Sequence, residues 1–255
     1  MGDLLFEIGT EELPAGFIRP ATADLERLFT AKMKGLGLAF ESIRQFGTPR
    51  RIALVVTGID DQQEDKEEVL LGPSKKAAYD ENGNPTKAAE GFARSKGASV
   101  DELELVETAK GEYLQLTRTV MGRKTDELLP TVLKEMILEL SFRKSMKWGA
   151  NQHNFARPIQ WIIALFNGSV LELEHEGIVS SNRTRGHRFM APDSVEISDP
   201  SAYEDVLKSM HVIADFDSRR AQVLAEIKAA VAQTDFDTAA QVSVDEGLLD
   251  TVTNL

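Results

Sequence analysis

The chain has 255 residues, 42% hydrophobic and 27% charged, enough to bury a sizeable core in one large or two ordinary domains. It has no cysteine, which excludes disulfides, thiolate metal sites and cysteine nucleophiles. The net charge of −12 argues against a nucleic-acid partner, but the charge is unevenly spread: residues 141–190 carry seven basic and three acidic side chains, residues 191–255 four basic and thirteen acidic. Electrostatic attraction is local, screened beyond about 8 Å in physiological salt. One basic face on an acidic protein can therefore still hold a polyanion. The start, MGDLLFEIGTEELP, lacks the basic-then-apolar pattern of a secretion signal. No apolar run reaches the roughly 20 residues that a bilayer requires. A cytoplasmic address without a membrane partner is expected.

Leu4–Ile8 reads as a strand, broken by Gly9. Ile18, Ala21, Leu25, Leu28, Phe29 and Met33 recur at three or four, which predicts an amphipathic helix from Phe17 to Leu36. Phe40–Phe46 and Arg51–Ile59 read as paired strands around the turn Gly47-Thr-Pro-Arg50. Asp60–Glu68 is an acidic run, expected to be a solvated loop or linker. A helix capped by Thr86, a hairpin around Lys110-Gly111 and a helix from a Thr125 cap to Leu140 follow. Trp161–Phe166 (WIIALF) is apolar throughout and predicts a strand buried on both faces. Asn167-Gly168 is a hairpin-turn pair, and Val170–Glu174 (VLELE) alternates as a half-solvated strand does. A short strand at Ser194–Ser198 and helices at Ala202–Met210, Asp217–Gln233 and Val244–Leu255 complete the reading. The expected organisation is an α+β region at 1–190 and a mainly helical segment at 191–255, with a soft boundary near 190–200. The abrupt end after Leu255 suggests a piece of a longer protein.

A nucleophile elbow, a phosphate-cradling glycine loop and a zinc-type histidine pair are all missing from the sequence. Glu7, Glu11 and Glu12 read as ordinary helix-start carboxylates rather than a general acid and base. Two basic groups stand out, Arg50 with Arg51, and Arg183, Arg185, His187 and Arg188. Arginine presents a planar fork to phosphates. The alternative is that these groups pair with the chain's many carboxylates. Gly186 suits a backbone that must approach something closely. Phe155, Trp161 and Phe189 are expected in the core rather than stacked on bases.

Several blocks resemble a known family: LLFEIGTEELPAGFI (4–18), GTPRRIALVV (47–56), MKWG (146–149), FARPIQWIIALFNG (155–168) and RTRGHRFM (183–190). In this order and spacing they resemble the beta subunit of the bacterial two-subunit glycyl-tRNA synthetase. The resemblance implies an α+β fold with antiparallel or mixed sheets and packed helices, like the body and tail portions of a CCA-adding enzyme. It implies that the alpha subunit carries the catalytic core and uses ATP and magnesium. This region would hold no catalytic residue and no cofactor. Its partners would be tRNA(Gly), the alpha subunit and a second beta subunit. The expected RNA-facing set is Arg50, Arg51, Arg183, Arg185, His187 and Arg188, with Lys144 and Lys147 as outer phosphate contacts. The competing expectation is a protein-docking scaffold that does not touch tRNA.

Overall fold

The computed structural model describes residues 1–233 and 243–255. The chain runs β1 (Gly2–Thr10), α1 (Ala15–Leu36), β2 (Ser42–Thr48) and β3 (Arg51–Ile59), then β4 (Lys66–Ser74), α2 (Lys75–Ala78), α3 (Lys87–Ser95), β5 (Glu104–Thr108) and β6 (Gly111–Val120). It continues through α4 (Thr125–Glu139), β7 (Ile159–Phe166), β8 (Ser169–Val170), β9 (Glu174–His175), β10 (Ile178–Val179), β11 (Arg183–Arg185), β12 (Ser194–Glu196), α5 (Tyr203–Ser209), α6 (Phe216–Ala232) and α7 (Glu246–Thr253). The class is α+β with antiparallel sheets, as expected. The chain forms two compact units, Met1–Gln62 with Arg123–Leu255, and Gln63–Gly122.

The first unit is built on a five-stranded sheet in the order β2-β3-β1-β7-β8. Successive strand side chains point to opposite faces, and here both faces are covered. Leu4, Phe6 and Ile8 join Ile52, Leu54, Val56, Ile162 and Ala164 under the apolar stripes of α1 and α4. Leu5, Ala53, Val55, Ile163 and Leu165 pack on Ile197, Tyr203, Leu207 and Ala214. That is why WIIALF needs no polar alternation. Each fully buried Leu, Ile, Val or Phe among them contributes about 1.5–3 kcal/mol.

The second unit is the antiparallel sheet β4-β6-β5. Its core of Ala78, Ala89, Ala93, Leu103, Leu114 and Leu116 lies under the short helices. Thr86 caps α3 as expected, its hydroxyl accepting the Ala88 amide at 3.3 Å.

Several expectations require correction. The acidic run is not loop throughout, because β4 begins at Lys66. Thr125 is the first residue of α4 rather than its cap, and its hydroxyl donates to the Asp60 carbonyl. The half-solvated alternation at Val170–Glu174 holds in burial, with Leu171 and Leu173 buried and Val170, Glu172 and Glu174 exposed, but the strand is interrupted between β8 and β9. There the Ser180 hydroxyl donates to the Leu171 carbonyl and accepts the Leu173 amide, while Ser181 bonds to Ile162 beside β7. The boundary near 190–200 does not separate two bodies. Ile197, Tyr203, Leu207 and Ala214 share a core with Leu5 of β1.

Candidate nucleic-acid interface

The site grows from one buried carboxylate. Glu7 sits in mid-strand, fully buried, and not at a helix start as the sequence suggested. A buried charge is tolerated only with partners. Here the Trp161 Nε1–H and the Thr184 hydroxyl (2.7 Å) donate to Oε1, and the Tyr203 hydroxyl donates to Oε2 at 2.5 Å. Arg51 Nη1 stands 3.5 Å from Oε2. Burial first, then the Glu7 charge, pushes the Tyr203 phenol well above its ordinary range, so it remains a donor at neutral pH. Gly9 makes room for this arrangement, since a Cβ there would stand 1.9 Å from Trp161 Cε2.

This network draws the two basic groups together. Arg51 was expected on the surface, but it is only 2% exposed. Its Nη1 donates to the Thr184 hydroxyl at 2.8 Å and its Nη2 to the Arg185 carbonyl at 2.5 Å. It is an internal strut, which removes it from the RNA-facing set. The guanidinium carbons of Arg50, Arg51 and Arg185 lie 5.9, 5.5 and 5.1 Å from the centre of the Trp161 ring. Burial lowers the Arg50 pKa. The charges of Arg188, Arg51 and Arg185 lower it further, while Glu11 acts the other way. The buried Arg50 Nε has no hydrogen-bond partner.

The remaining candidates divide. Arg185 is exposed, and among the described residues neither it nor Arg50 forms an ion pair. Arg183 pairs across the strand with Glu196 at 3.3 Å. Arg188 pairs with Glu12 at 3.2 Å and Glu11 at 4.0 Å. His187 organises a turn: its Nδ1 accepts the amides of Phe189 (3.3 Å) and Met190 (3.1 Å). Lys144 and Lys147 are exposed on the segment between α4 and β7. Phe142 and Phe155 anchor that segment to the helical layer, on the sheet face opposite Thr184.

A cleft of about 360 Å³ opens beside Arg50, with Arg188, Phe189, His211, Arg219 and Leu255 on its walls. Gly186 permits the close approach expected of it, but to its own chain: a Cβ would meet the Ala191 carbonyl at 2.5 Å. Sequence reasoning missed Arg219, which clamps the cleft floor. It donates to the carbonyls of Thr253 (2.7 Å), Ile213 (2.6 Å), Ala214 (3.3 Å) and Gly47 (2.9 Å), and to Asn254 Oδ1 (3.1 Å). Burial pulls its pKa down to about 10. No spacing in the sequence marks it. The exposure of Phe189 was also missed; it is 83% exposed, whereas Phe155 and Trp161 are buried as expected.

The sequence model of the family described as glycyl-tRNA synthetase beta subunit matches residues 4–255. The chain belongs to this family. Relatives named glycine–tRNA ligase beta subunit include one from Myxococcus xanthus, 45% identical over 253 residues, which covers 99% of this chain and 35% of the relative. One from Syntrophotalea carbinolica is 44% identical over 250 residues, covering 98% and 36%. One from Aquifex aeolicus is 40% identical over 254 residues, covering 99% and 37%. The chain thus spans about a third of the length of these relatives (35–37%).

Within this glycyl-tRNA synthetase beta-subunit framework, the arrangement brings two guanidinium groups to one indole. Arg50 and Arg185 are guanidinium forks suited to paired hydrogen bonds with phosphate oxygens. Glu11 and Glu12 are both engaged by Arg188, which gives no support to a hydrolytic acid–base role. Among the described residues, no group of three or more His, Asp or Glu side chains could hold a metal ion. Among the described residues, no helix is long and apolar enough to cross a membrane.

Proposed function

We propose that this part of a glycyl-tRNA synthetase beta subunit binds tRNA(Gly) through a rim formed by Arg50 and Arg185. In doing so it supports the ATP-dependent attachment of glycine on a catalytic alpha subunit, to which the beta subunit docks. The observation that carries the reading is the meeting of two basic segments, 134 residues apart, over one indole, with two guanidinium groups that form no ion pair among the described residues. Backbone phosphates and 2′-hydroxyls are the groups such a surface recognises in RNA. Arg188 and Arg183 would be secondary contacts, each already sharing its charge with a glutamate. The cytoplasm, where tRNA is charged, is the compartment this reading entails.

The experiment is tRNA binding by the assembled synthetase across a salt series, with Arg50→Ala and Arg185→Ala. Each lost phosphate contact should reduce the log–log salt slope by roughly 0.7–0.9. An unchanged slope for both variants contradicts the proposal.

A second reading is a docking scaffold for the alpha subunit or a second beta subunit. It is favoured by the neutralised state of Arg183 and Arg188 and by the exposed Leu248 and Val252 of α7. Measuring alpha-subunit assembly with Leu248→Ser and Val252→Ser, beside tRNA binding by the arginine variants, separates the two readings.

A further inference from the structure

Phe189 carries the furthest inference. It stands on the cleft wall with Arg50 and Arg188, its ring 83% exposed. Apolar residues scattered singly on a surface need no explanation, but this one is held in place. The turn beneath it is fixed by the His187 Nδ1 acceptor, by the His187 amide on the Met210 carbonyl (2.9 Å) and by the Ala191 amide on the His187 carbonyl (3.0 Å). The tight packing of Gly186 on Ala191 and Met210 leaves the turn little room to shift. The Arg188 guanidinium lies 5.8 Å from the ring centre and is itself tied to Glu12. A rigid, solvent-facing aromatic ring therefore shares a cleft with a guanidinium group that forms no ion pair among the described residues, although the Glu11 charge acts on it from farther off.

We propose that Phe189 is a stacking platform for an unpaired nucleobase, so that the cleft takes a single-stranded stretch of RNA whose phosphate is held by Arg50 on the cleft wall, with Arg185 outside the cleft engaging the same backbone. The proposal rests on the tRNA-binding reading and narrows it. A phenyl face accepts any base, because every base has a π-face, while guanidinium groups track the backbone. In an A-form duplex the base faces are occupied by their neighbours, and only phosphates and the minor-groove edge are offered. Duplex RNA would thus engage the arginines and leave Phe189 idle. A cleft of about 360 Å³ lies at the small end of ligand sites, which run from about 300 to 1,000 Å³, and suits one nucleotide rather than a helix. Arg50, Arg188 and Arg219 outnumber Glu12 on the cleft walls, which favours a polyanion over an apolar protein segment as the occupant.

The test uses the assembled synthetase, a single-stranded oligoribonucleotide and an RNA duplex of equal length. The variants are Phe189→Ala, Phe189→Leu and Phe189→Tyr, compared with Arg50→Ala. Phe189→Ala should weaken single-strand binding by about 5- to 150-fold, as loss of one stacked base does, with duplex binding and salt slope unchanged. Phe189→Tyr should bind as the parent does, and Phe189→Leu should fail like alanine. Thermal melting should not move, because the ring is exposed. Parent-like single-strand binding by Phe189→Leu, or an equal loss for duplex, overturns the proposal. So does a loss of alpha-subunit assembly with RNA binding intact, which would mark the ring as a protein contact. If Arg50→Ala leaves binding of both RNAs unchanged while Phe189→Ala weakens the single strand, the cationic grip fails and the stacking role stands. If Arg50→Ala weakens both and Phe189→Ala neither, the grip stands and the stacking role fails.

Discussion

Arg51 donates from Nη2 to the backbone carbonyl of Arg185 at 2.5 Å, fastening the second basic segment to the first from within the core. The bond does not hold RNA. It fixes where the Arg185 side chain emerges, beside Arg50 and over Trp161. The surface rim therefore depends on an interior ion pair with Glu7. Removing either partner strands the other.

Glu7→Ala should destabilise the first unit by about 3–5 kcal/mol, the usual cost of leaving a buried charge unpaired. Glu7→Gln should cost less, because an amide oxygen can still accept from Trp161 and Thr184. Urea unfolding monitored by tryptophan fluorescence measures both. A Glu7→Ala midpoint equal to that of the parent would show that the network contributes no net stability.

Gly9→Ala should fail sterically. The added Cβ would lie within 2.0 Å of Trp161 ring atoms in a strand paired on both sides. Overpacking of this kind costs about 1–3 kcal/mol. A lowered melting temperature with a shifted tryptophan emission is the expected result. An unchanged melting temperature would mean that the indole moves aside freely.

How much of this was legible follows from where each residue's partners lie. The α1 stripe, the WIIALF strand and the Thr86 cap rest on neighbours within a few positions, and they stand as read. Glu7 and Arg51 were misread because their burial is set by residues as distant as Thr184 and Tyr203, 177 and 196 positions from Glu7. The alternation at Val170–Glu174 was read correctly but its continuity as a strand was not, because beyond the Leu171 amide, which still bonds to Ala164 of β7, Ser180 and Ser181 take the backbone partners. The basic residues could be named from sequence, but which of them keep a free charge depended on Glu12 and Glu196.

A pH effect should arise from a second cluster. Glu176 holds a positive φ of 50° at the β9–β10 turn, and its Oε1 accepts the amides of Gln152 (2.6 Å) and His153 (2.7 Å). His175 lies 5.1 Å from His153 between ring centres, and its buried Nε2 has no hydrogen-bond partner, with Glu176 Oε2 at 4.0 Å. Burial first, then the charge of His153, lowers the His175 pKa from its usual 6.5, with Lys134 adding to the effect and Glu176 and Glu174 opposing it. A histidine whose folded pKa is depressed takes up its proton more readily when unfolded. Its contribution to stability is therefore complete above about pH 6.5 and is lost as pH falls below that value. Unfolding free energies at pH 7.5 and 5.5 should differ more in the parent than in His175→Phe. Equal differences would contradict this account.

Arg219→Ala should release the end of α7. It leaves the Thr253, Ile213 and Gly47 carbonyls without that donor, at about 1–3 kcal/mol for each that remains buried and unsatisfied. Hydrogen exchange across Glu246–Thr253 should accelerate before the central strands do. Unchanged protection of that helix would show that Arg219 is not its tether.

The most direct test of the central claim is a double-mutant cycle on tRNA affinity in the assembled synthetase, using Arg50→Ala, Arg185→Ala and the double variant. If the two guanidinium groups hold one phosphate, the double variant should lose less than the sum of the single losses, with a coupling of about 0.5–3 kcal/mol. Strictly additive losses, or no loss from either single variant, would contradict a shared grip.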